Sequence, residues 1–480
     1  MKYVRKTNIV GTIGPASESE EVFTNLVKAG LNVARINFSH GGYEENAEKI
    51  ATIKRVREKL NKPVALLLDT KGPEIRTGKL ESGDEKVNLY EGDKFSFFCE
   101  EMIGNNTKAS VSYLNLYQDV KPGATILVDD GAIEFEVQEV KGKEIVCKVL
   151  NNGRLGSRKT INVPGLKLNL PALSPKDIDD ITNGVKAGFD MIAASFVRRK
   201  SDVEEIRALL KRAGGEHVQI ISKIESQEGI DNFEDILAAS DGIMVARGDM
   251  GVEIPMEQVP IVQKHFIKRC NEVGKPVITA TQMLESMTQN PRPTRAEVSD
   301  VANAVYDRTG SIMLSGECAM GKYPVECVKT MHKVATTIEP TINYWKRFSR
   351  KDFKLKPDDL EGNIAYITCV NARNIEARAI VAYTHTGNSV RKIAGMGPAC
   401  PILAVTDNKS TFYQLGVAWN VYPVLVEGKE TIEKTIETGI RQFVEEGILE
   451  KGDRVIISGG SKILPDSTSE NKVIGGALKI

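Results

Sequence analysis

The sequence predicts an α/β fold: a (β/α)8 TIM barrel with an inserted small β-barrel domain, followed by a C-terminal α/β open-sheet domain. Three observations predict it. Eight short apolar runs alternate with helical patterns. Between Lys71 and Leu170 the alternation gives way to short strands and turn residues with no helical period. After a polar, lysine-rich stretch ending near Asp359, the alternation resumes.

The eight runs are 7–13, 32–38, 64–68, 190–196, 218–224, 242–246, 277–280 and 311–314. Continuous apolar runs mark strands covered on both faces, and strict alternation with helices implies a parallel sheet. Eight such units suit a barrel, and a doubly wound open sheet is the competing arrangement on pattern alone. The interruption carries candidate strands at 86–90, 94–99, 125–128, 133–140 and 144–150, inserted where the third strand should pass to its helix. Without it, 1–70 and 171–345 leave about 245 residues, against the roughly 250 of a typical barrel. The expected domains are therefore 1–70 with 171–345, the insert 71–170, and 346–480, whose candidate strands are 379–383, 402–405 and 455–457.

Composition narrows the function. In 480 residues Lys plus Arg and Asp plus Glu both total 64, so there is no basic excess to hold nucleic acid. No apolar stretch has spanning length, which argues against a membrane role. Seven scattered cysteines without metal-like spacing read as reduced thiols, and the start Met1-Lys-Tyr-Val-Arg-Lys6 lacks a signal-peptide core. The expected location is the cytoplasm and the expected partners are small molecules.

In a barrel the active site is built at the carboxyl ends of the strands. There the fifth run supplies Lys223 and Glu225, which share a face by the two-residue period, and the sixth leads into Arg247-Gly-Asp249. The second ends Arg35-Ile-Asn37-Phe-Ser39-His40 and the third Asp69-Thr70-Lys71-Gly72-Pro73-Glu74-Ile75-Arg76. The fourth ends Ser195-Phe196-Val197-Arg198, the seventh Thr281-Gln282 and the eighth Ser315-Gly316-Glu317. Glu225 and Asp249 suit a hard divalent cation, because Mg²⁺ takes one or two carboxylates and completes its shell with substrate oxygens and water. Lys223, Arg35 and Arg76 can offset charge on a transferring phosphoryl group. The bland alternatives are a surface ion pair for Lys223 with Glu225, a solvated strand edge for Arg35, Asn37 and Ser39, and a capping hydroxyl for Thr281. His40 alone is uninformative. No P-loop, protein-kinase motif set, dinucleotide fingerprint, Ser-His-Asp signature or zinc spacing is present.

From Thr12-Ile-Gly-Pro15 through the third domain, the chain resembles the pyruvate kinase family. The resemblance is carried by Arg35-Ile-Asn-Phe-Ser-His40, Leu68-Asp-Thr-Lys-Gly-Pro-Glu-Ile-Arg76, Ile221-Ser-Lys-Ile-Glu225, Met244-Val-Ala-Arg-Gly-Asp249, Ala280-Thr-Gln-Met-Leu-Glu-Ser-Met287 and Asn290-Pro-Arg-Pro-Thr-Arg-Ala-Glu297. It implies phosphoryl transfer from phosphoenolpyruvate to ADP, giving pyruvate and ATP, with Mg²⁺ (or Mn²⁺) and K⁺ as cofactors. It further implies that Lys223, Thr281 and Arg35 are catalytic, and that Arg35, Gly248, Asp249, Thr281 and Ser195 contact substrate. Arg76, Lys159 and His40 would meet the nucleotide, and Glu225 and Asp249 the divalent metal. Asn37, Ser39, Asp69 and Thr70 would hold potassium, with Glu74 marking potassium dependence. The insert would be a lid, and the assembly a homotetramer.

Thr384, His385, Thr386, Gly387, Asn388 and Ser389 follow a strand and precede a helical pattern, so they could cradle an effector phosphate, or form an ordinary capped turn. His385 stands where some fructose-bisphosphate-regulated members have lysine, and 463–471 lacks their glycine-rich loop. The expectation is a phosphorylated activator of open identity. Two rival readings are a metal-dependent lyase on the same barrel and a non-catalytic regulator, and the extra cations and intact strand-end residues argue against them.

Overall fold

The computed structural model describes residues 4–39, 41–428, 431–459 and 474–480. Eight parallel strands close into a barrel: β1 (Asn8–Thr12), β2 (Val33–Asn37), β3 (Ala65–Asp69), β4 (Met191–Ala194), β5 (Gln219–Ile224), β6 (Gly242–Ala246), β7 (Val277–Ala280) and β8 (Ser311–Leu314). Each matches a predicted run, β3 extending one residue past 64–68 to Asp69, and the pairing of β1 with β8 rules out the open sheet. Alternate residues of each strand divide between two cores. Ile9, Ala34, Leu66 and Ile220 pack outward against helices, whereas Val10, Val33, Leu67, Ile221, Met244 and Met313 fill the barrel. The floor is closed from outside the barrel by Val417, whose side chain joins that interior cluster.

Between β3 and β4 a seven-stranded sheet runs in the order Ile75–Arg76, Thr160–Asn162, Thr125–Val128, Ile133–Lys141, Glu144–Val149, Lys94–Phe98, Lys108–Ser110. Its two edges meet. The Gly78 amide donates to the Ser110 carbonyl and the Ser112 amide to the Arg76 carbonyl, both at 2.8 Å, which joins the edges with an irregular seam. Val87–Leu89 and Gly153–Leu155 form a separate two-stranded ribbon. The strands Ile75–Arg76, Lys108–Ser110, Gly153–Leu155 and Thr160–Asn162 were not predicted. The core is an aromatic trio, Phe95, Phe97 and Phe135, with ring centroids 5.0–5.2 Å apart. Phe135→Ala removes the ring that touches both others and is expected to cost about 3–5 kcal/mol. Calorimetry should then show a separate low-temperature transition for the insert with the barrel transition nearly unmoved; a single cooperative shift would refute independent melting.

The last domain is a five-stranded sheet in the order Val421–Leu425, Ile402–Thr406, Ala379–Tyr383, Arg454–Gly459, Ile474–Lys479, with only the last pair antiparallel. The two outermost strands add to the three predicted. The stretch expected as a polar linker opens with a short helix, Tyr344–Arg350, before running irregularly to Asp359. This domain is fastened to the barrel base by buried polar bonds: the Asn8 side chain donates to the Ala418 carbonyl at 2.8 Å, the Asn420 amide donates to the Lys6 carbonyl at 2.8 Å, and Lys6 Nζ donates to Asn420 Oδ1 at 3.1 Å. All seven cysteines are free and buried. Among the described residues no helix is long and apolar enough to cross a membrane.

Candidate active site

Asp69, at the end of β3, organises the barrel mouth. Its Oδ2 accepts Arg35 Nε at 2.6 Å, and its Oδ1 receives Lys223 Nζ at 3.1 Å and Ser195 Oγ at 3.2 Å. Three strands thereby deliver two cations and a hydroxyl to one buried carboxylate. Burial pulls the Asp69 carboxyl upward, but the charges of Arg35 and Lys223 outweigh it and hold the acid below its ordinary range. Arg35 is kept on the barrel axis side by a second bond, Nη1 to Thr12 Oγ1 at 2.7 Å.

Lys223 is only 11% exposed, with Ser195 Oγ at 2.8 Å and Glu225 Oε1 at 3.1 Å. Burial disfavours its charge, yet Asp69 and Glu225 reverse this and raise its pKa above the usual value. The ammonium is thus held in its charged form by the two carboxylates beside it. The surface ion-pair reading of Lys223 with Glu225 fails on this burial.

Glu225 supplies the observation that bears on a metal. Its Oε2 accepts the Phe196 amide at 2.5 Å, while the fully buried Oε1 lies near Lys223 without a directed hydrogen bond. Burial, with Asp249 adding to it and Lys223 opposing, pushes the carboxyl up to about 8. A buried oxygen with no directed donor, beside a second carboxylate, fits a divalent cation of the Mg²⁺ class. Among the described residues no group of three or more His, Cys, Asp or Glu side chains is placed to hold a metal ion by itself.

Backbone strain collects at the same end of the barrel. Phe196, Thr281 and Gln282 have φ of +53°, +70° and +53°, values unfavourable for bulky and β-branched residues. The strain at Phe196 aims its amide at Glu225. At Thr281 it brings Oγ1 within 2.8 Å of the Gly248 amide, from which it accepts, while donating to the Ala280 carbonyl at 2.6 Å. Arg247 braces this turn through the Ala280 and Thr281 carbonyls and pairs with Asp300 at 2.8 Å.

Asn37 and Asp69 are register partners on β2 and β3. Asn37 Oδ1 accepts the Ser39 amide at 3.0 Å, and Thr70 offers a carbonyl already bonded to Ser195 Oγ at 2.6 Å. His40 lies outside the described residues, as does 463–471.

The insert contributes Arg76, on a strand, and Lys159, just before the partner strand that pairs at Thr160↔Arg76. Both cations are engaged by carboxylates. Glu74 grips Arg76 in a bidentate pair at 2.7 and 2.8 Å, and Asp129 holds Lys159 at 2.8 Å and Lys86 at 3.2 Å. Asn162 reaches from the insert to Glu253 of the barrel at 2.9 Å. Between the two bodies lies a cleft of about 110 Å³ lined by Glu74, Asn162, Arg198, Asp249 and Glu253. A wider one of about 770 Å³ crosses the barrel mouth past Gly248, Asp249, Thr281 and Ser315. Asp249 and Asp130 line both.

In the last domain, Thr384 Oγ1 accepts the Gly387 amide at 2.8 Å and Thr386 Oγ1 the Asn388 amide at 3.4 Å, so the turn satisfies two of its own donors. His385 pairs with Asp407 at 2.7 Å, and Ser389 Oγ is buried without a hydrogen-bond partner. The sequence reading passed over Asp129 and Asp177. For Asp177 a signal existed: Ser174-Pro-Lys-Asp177 is a capping-box spacing with proline at the first helical position. Cys318 is fully buried, and burial pushes its thiol well above the ordinary range, which leaves it inert.

Residues 4–328 match the family described as "Pyruvate kinase, barrel domain", and 362–474 match "Pyruvate kinase, alpha/beta domain". The pyruvate kinase of Clostridium acetobutylicum is 49% identical over 458 residues, covering 95% of this chain and 96% of that one. The pyruvate kinase of Staphylococcus saprophyticus is 50% identical over 459 residues, covering 95% of this chain and 78% of its own length. The crystal structure of a pyruvate kinase from Cryptosporidium parvum superposes with a TM-score of 0.93 at 38% identity, covering 99% of this chain and 96% of that chain. The chain belongs to the pyruvate kinase family of phosphotransferases.

Proposed function

We propose that this protein transfers the phosphoryl group of phosphoenolpyruvate to ADP. The enol phosphate P–O bond breaks, a β-phosphate oxygen of ADP bonds to phosphorus, and the enolate takes a proton on carbon to become pyruvate. The observation that carries the reading is Lys223, buried as a fixed cation between Asp69, Ser195 and Glu225. In this reading Lys223 and Arg35 balance charge on the transferring group and the enolate, and Ser195, Gly248 and Thr281 orient the substrate, with Thr281 beside the proton path. Glu225 and Asp249 would hold the divalent metal, Mg²⁺ or Mn²⁺, which when bound supplies Lewis-acid charge to substrate oxygens. Arg76 and Lys159 exchange Glu74 and Asp129 for nucleotide phosphates, and His40 joins them.

Three functional units are proposed: the barrel (1–70 and 171–345), a lid (71–170) whose closure excludes water from the transfer, and a regulatory domain (346–480). The unpartnered Ser389 hydroxyl, in a turn opening a helix, supports a phosphorylated activator bound across Thr384, His385, Thr386, Gly387 and Asn388. The location proposed is cytoplasmic and the assembly a homotetramer, with exposed Met256, Ile261, Leu360 and Ile367 available to neighbouring copies; sedimentation equilibrium checks the latter.

The test is pyruvate formation from phosphoenolpyruvate and ADP with Mg²⁺ and K⁺, with and without sugar phosphates; absence of turnover in all conditions overturns the reading. Potassium is expected to be required, through Asn37, Ser39, Asp69 and Thr70. Glu74→Lys removes the anion that holds Arg76 and adds a cation, so it should relax the potassium requirement; an unchanged requirement would refute the role given to Glu74.

A further inference from the structure

The lid is joined to the barrel by two connections, an outgoing one from Asp69 to Ile75 and a returning one from Asn162 to Pro175. The returning connection is divided between two bodies. Leu166, Leu168 and Leu170, spaced by two, pack on the lid core, whereas Arg198 of the barrel takes the carbonyls of Leu168 and Leu170 at 3.1 and 2.7 Å. The outgoing connection turns at Gly72, where φ is +71° and an added Cβ would lie 2.8 Å from Ser195.

One buried side chain touches both connections. Asp177, with no exposed surface, accepts the Gly72 amide on Oδ1 at 3.1 Å. Its Oδ2 accepts the Ser174 amide at 2.9 Å and the Ser174 hydroxyl at 2.6 Å. Asp177 itself sits in the first turn of the barrel helix Pro175–Lys186. A capping aspartate needs only the bonds to Ser174. The bond to Gly72, 105 positions away in the chain, has no part in capping.

We propose that Asp177 is a positioning residue for phosphoryl transfer: its carboxylate buckles the two lid connections together and so fixes the pivot about which the lid carries Arg76 to the barrel mouth. This rests on the function proposed above for its kinetic consequence, but not for its structural one. Asp69, Thr70 and Ser195 are held independently of Asp177, by Thr70 and Ser195 amide bonds to Ala193 and Thr70 at 3.0 Å each. The buckle therefore acts on the nucleotide side of the reaction and leaves the barrel side in place.

Asp177→Asn keeps the shape and one acceptor but opposes an amide group to a donor at one connection. Two measurements test it. Deuterium exchange in wild type and Asp177→Asn should show amides of 71–76 and 163–174 opening at least tenfold faster in the variant, with β1 to β8 unchanged; this reads the buckle whatever reaction the enzyme performs. Steady-state kinetics should show KM for ADP rising about tenfold while KM for phosphoenolpyruvate stays within twofold. Ser174→Ala removes a cap bond but leaves Gly72 on Asp177, and should reproduce neither effect. Unchanged exchange at 71–76, or Ser174→Ala matching Asp177→Asn in both measurements, would overturn the proposal. Should Asp177→Asn fail to fold, exchange in the wild type reads the buckle directly: the Gly72 amide, bonded to Asp177, should exchange at least tenfold slower than an unbonded amide, and an unprotected Gly72 amide would overturn the proposal equally.

Discussion

Lys223→Met is expected to lower kcat by roughly 10³-fold, the upper range for removing one preorganised group that stabilises transition-state charge. The methionine chain fills most of the lysine's volume, so the loss is one of charge. The lysine side chain sits within 3.1 Å of Asp69, Ser195 and Glu225, and both carboxylates have a fallback. Asp69 retains Arg35 at 2.6 Å, and Glu225, already pushed toward its neutral form by burial, can take up a proton. The variant should therefore fold, although deleting one partner of a buried pair costs about 3–5 kcal/mol where no such relief exists. Because Arg35 would still meet the substrate in the proposed reading, KM for phosphoenolpyruvate should change far less than kcat, the pattern of an interaction made mainly in the transition state. Kinetics of pyruvate release, with circular dichroism to confirm folding, check this. A variant turning over within tenfold of wild type would remove Lys223 from the chemistry.

What the sequence made legible follows from how much apolar surface each element hides. All eight barrel strands are covered on both faces and read as mainly apolar runs whose polar residues gather toward the carboxyl ends, so they could be placed without coordinates. The four insert strands that escaped are two or three residues long, such as Lys108-Ala-Ser110 and Gly153-Arg-Leu155, too short to show a period of their own. Val421–Leu425 is interrupted by Pro423, which a sheet-edge position tolerates, and Ile474–Lys479 carries two glycines and runs antiparallel at the other edge. The convergence of Arg35, Asp69, Ser195, Lys223 and Glu225 was readable because the barrel forces strand ends together. The grip of Glu74 on Arg76 and the double contact of Asp177 were not, since both depend on how the chain turns between bodies, which no periodicity encodes.

Glu225→Gln carries the second large effect, and it separates metal binding from catalysis. In the metal-free protein the folded state holds the Glu225 proton up to about 8, whereas the unfolded chain releases it near 4.5. The sign follows from that ordering. Between those pH values the folded state binds the extra proton, so Glu225's contribution to stability is present at low pH and is lost as pH rises through about 8, by at most about 1.4 kcal/mol per pH unit. A divalent cation must displace the same proton. Mn²⁺ affinity of the wild-type protein should thus climb up to about tenfold per pH unit below that value and level off above it. The substituted glutamine would keep the bond from the Phe196 amide but has neither charge nor proton to exchange. In Glu225→Gln, Mn²⁺ affinity should fall by roughly 100-fold and lose its pH slope, while the metal-free variant becomes more stable than metal-free wild type at pH ~8.5, above the Glu225 titration. Equal Mn²⁺ affinity in the two proteins, measured by electron paramagnetic resonance, would take Glu225 out of the metal site. A wild-type affinity flat between about pH 6 and 8 would instead mean that Lys223 and the Phe196 amide already keep Glu225 ionised.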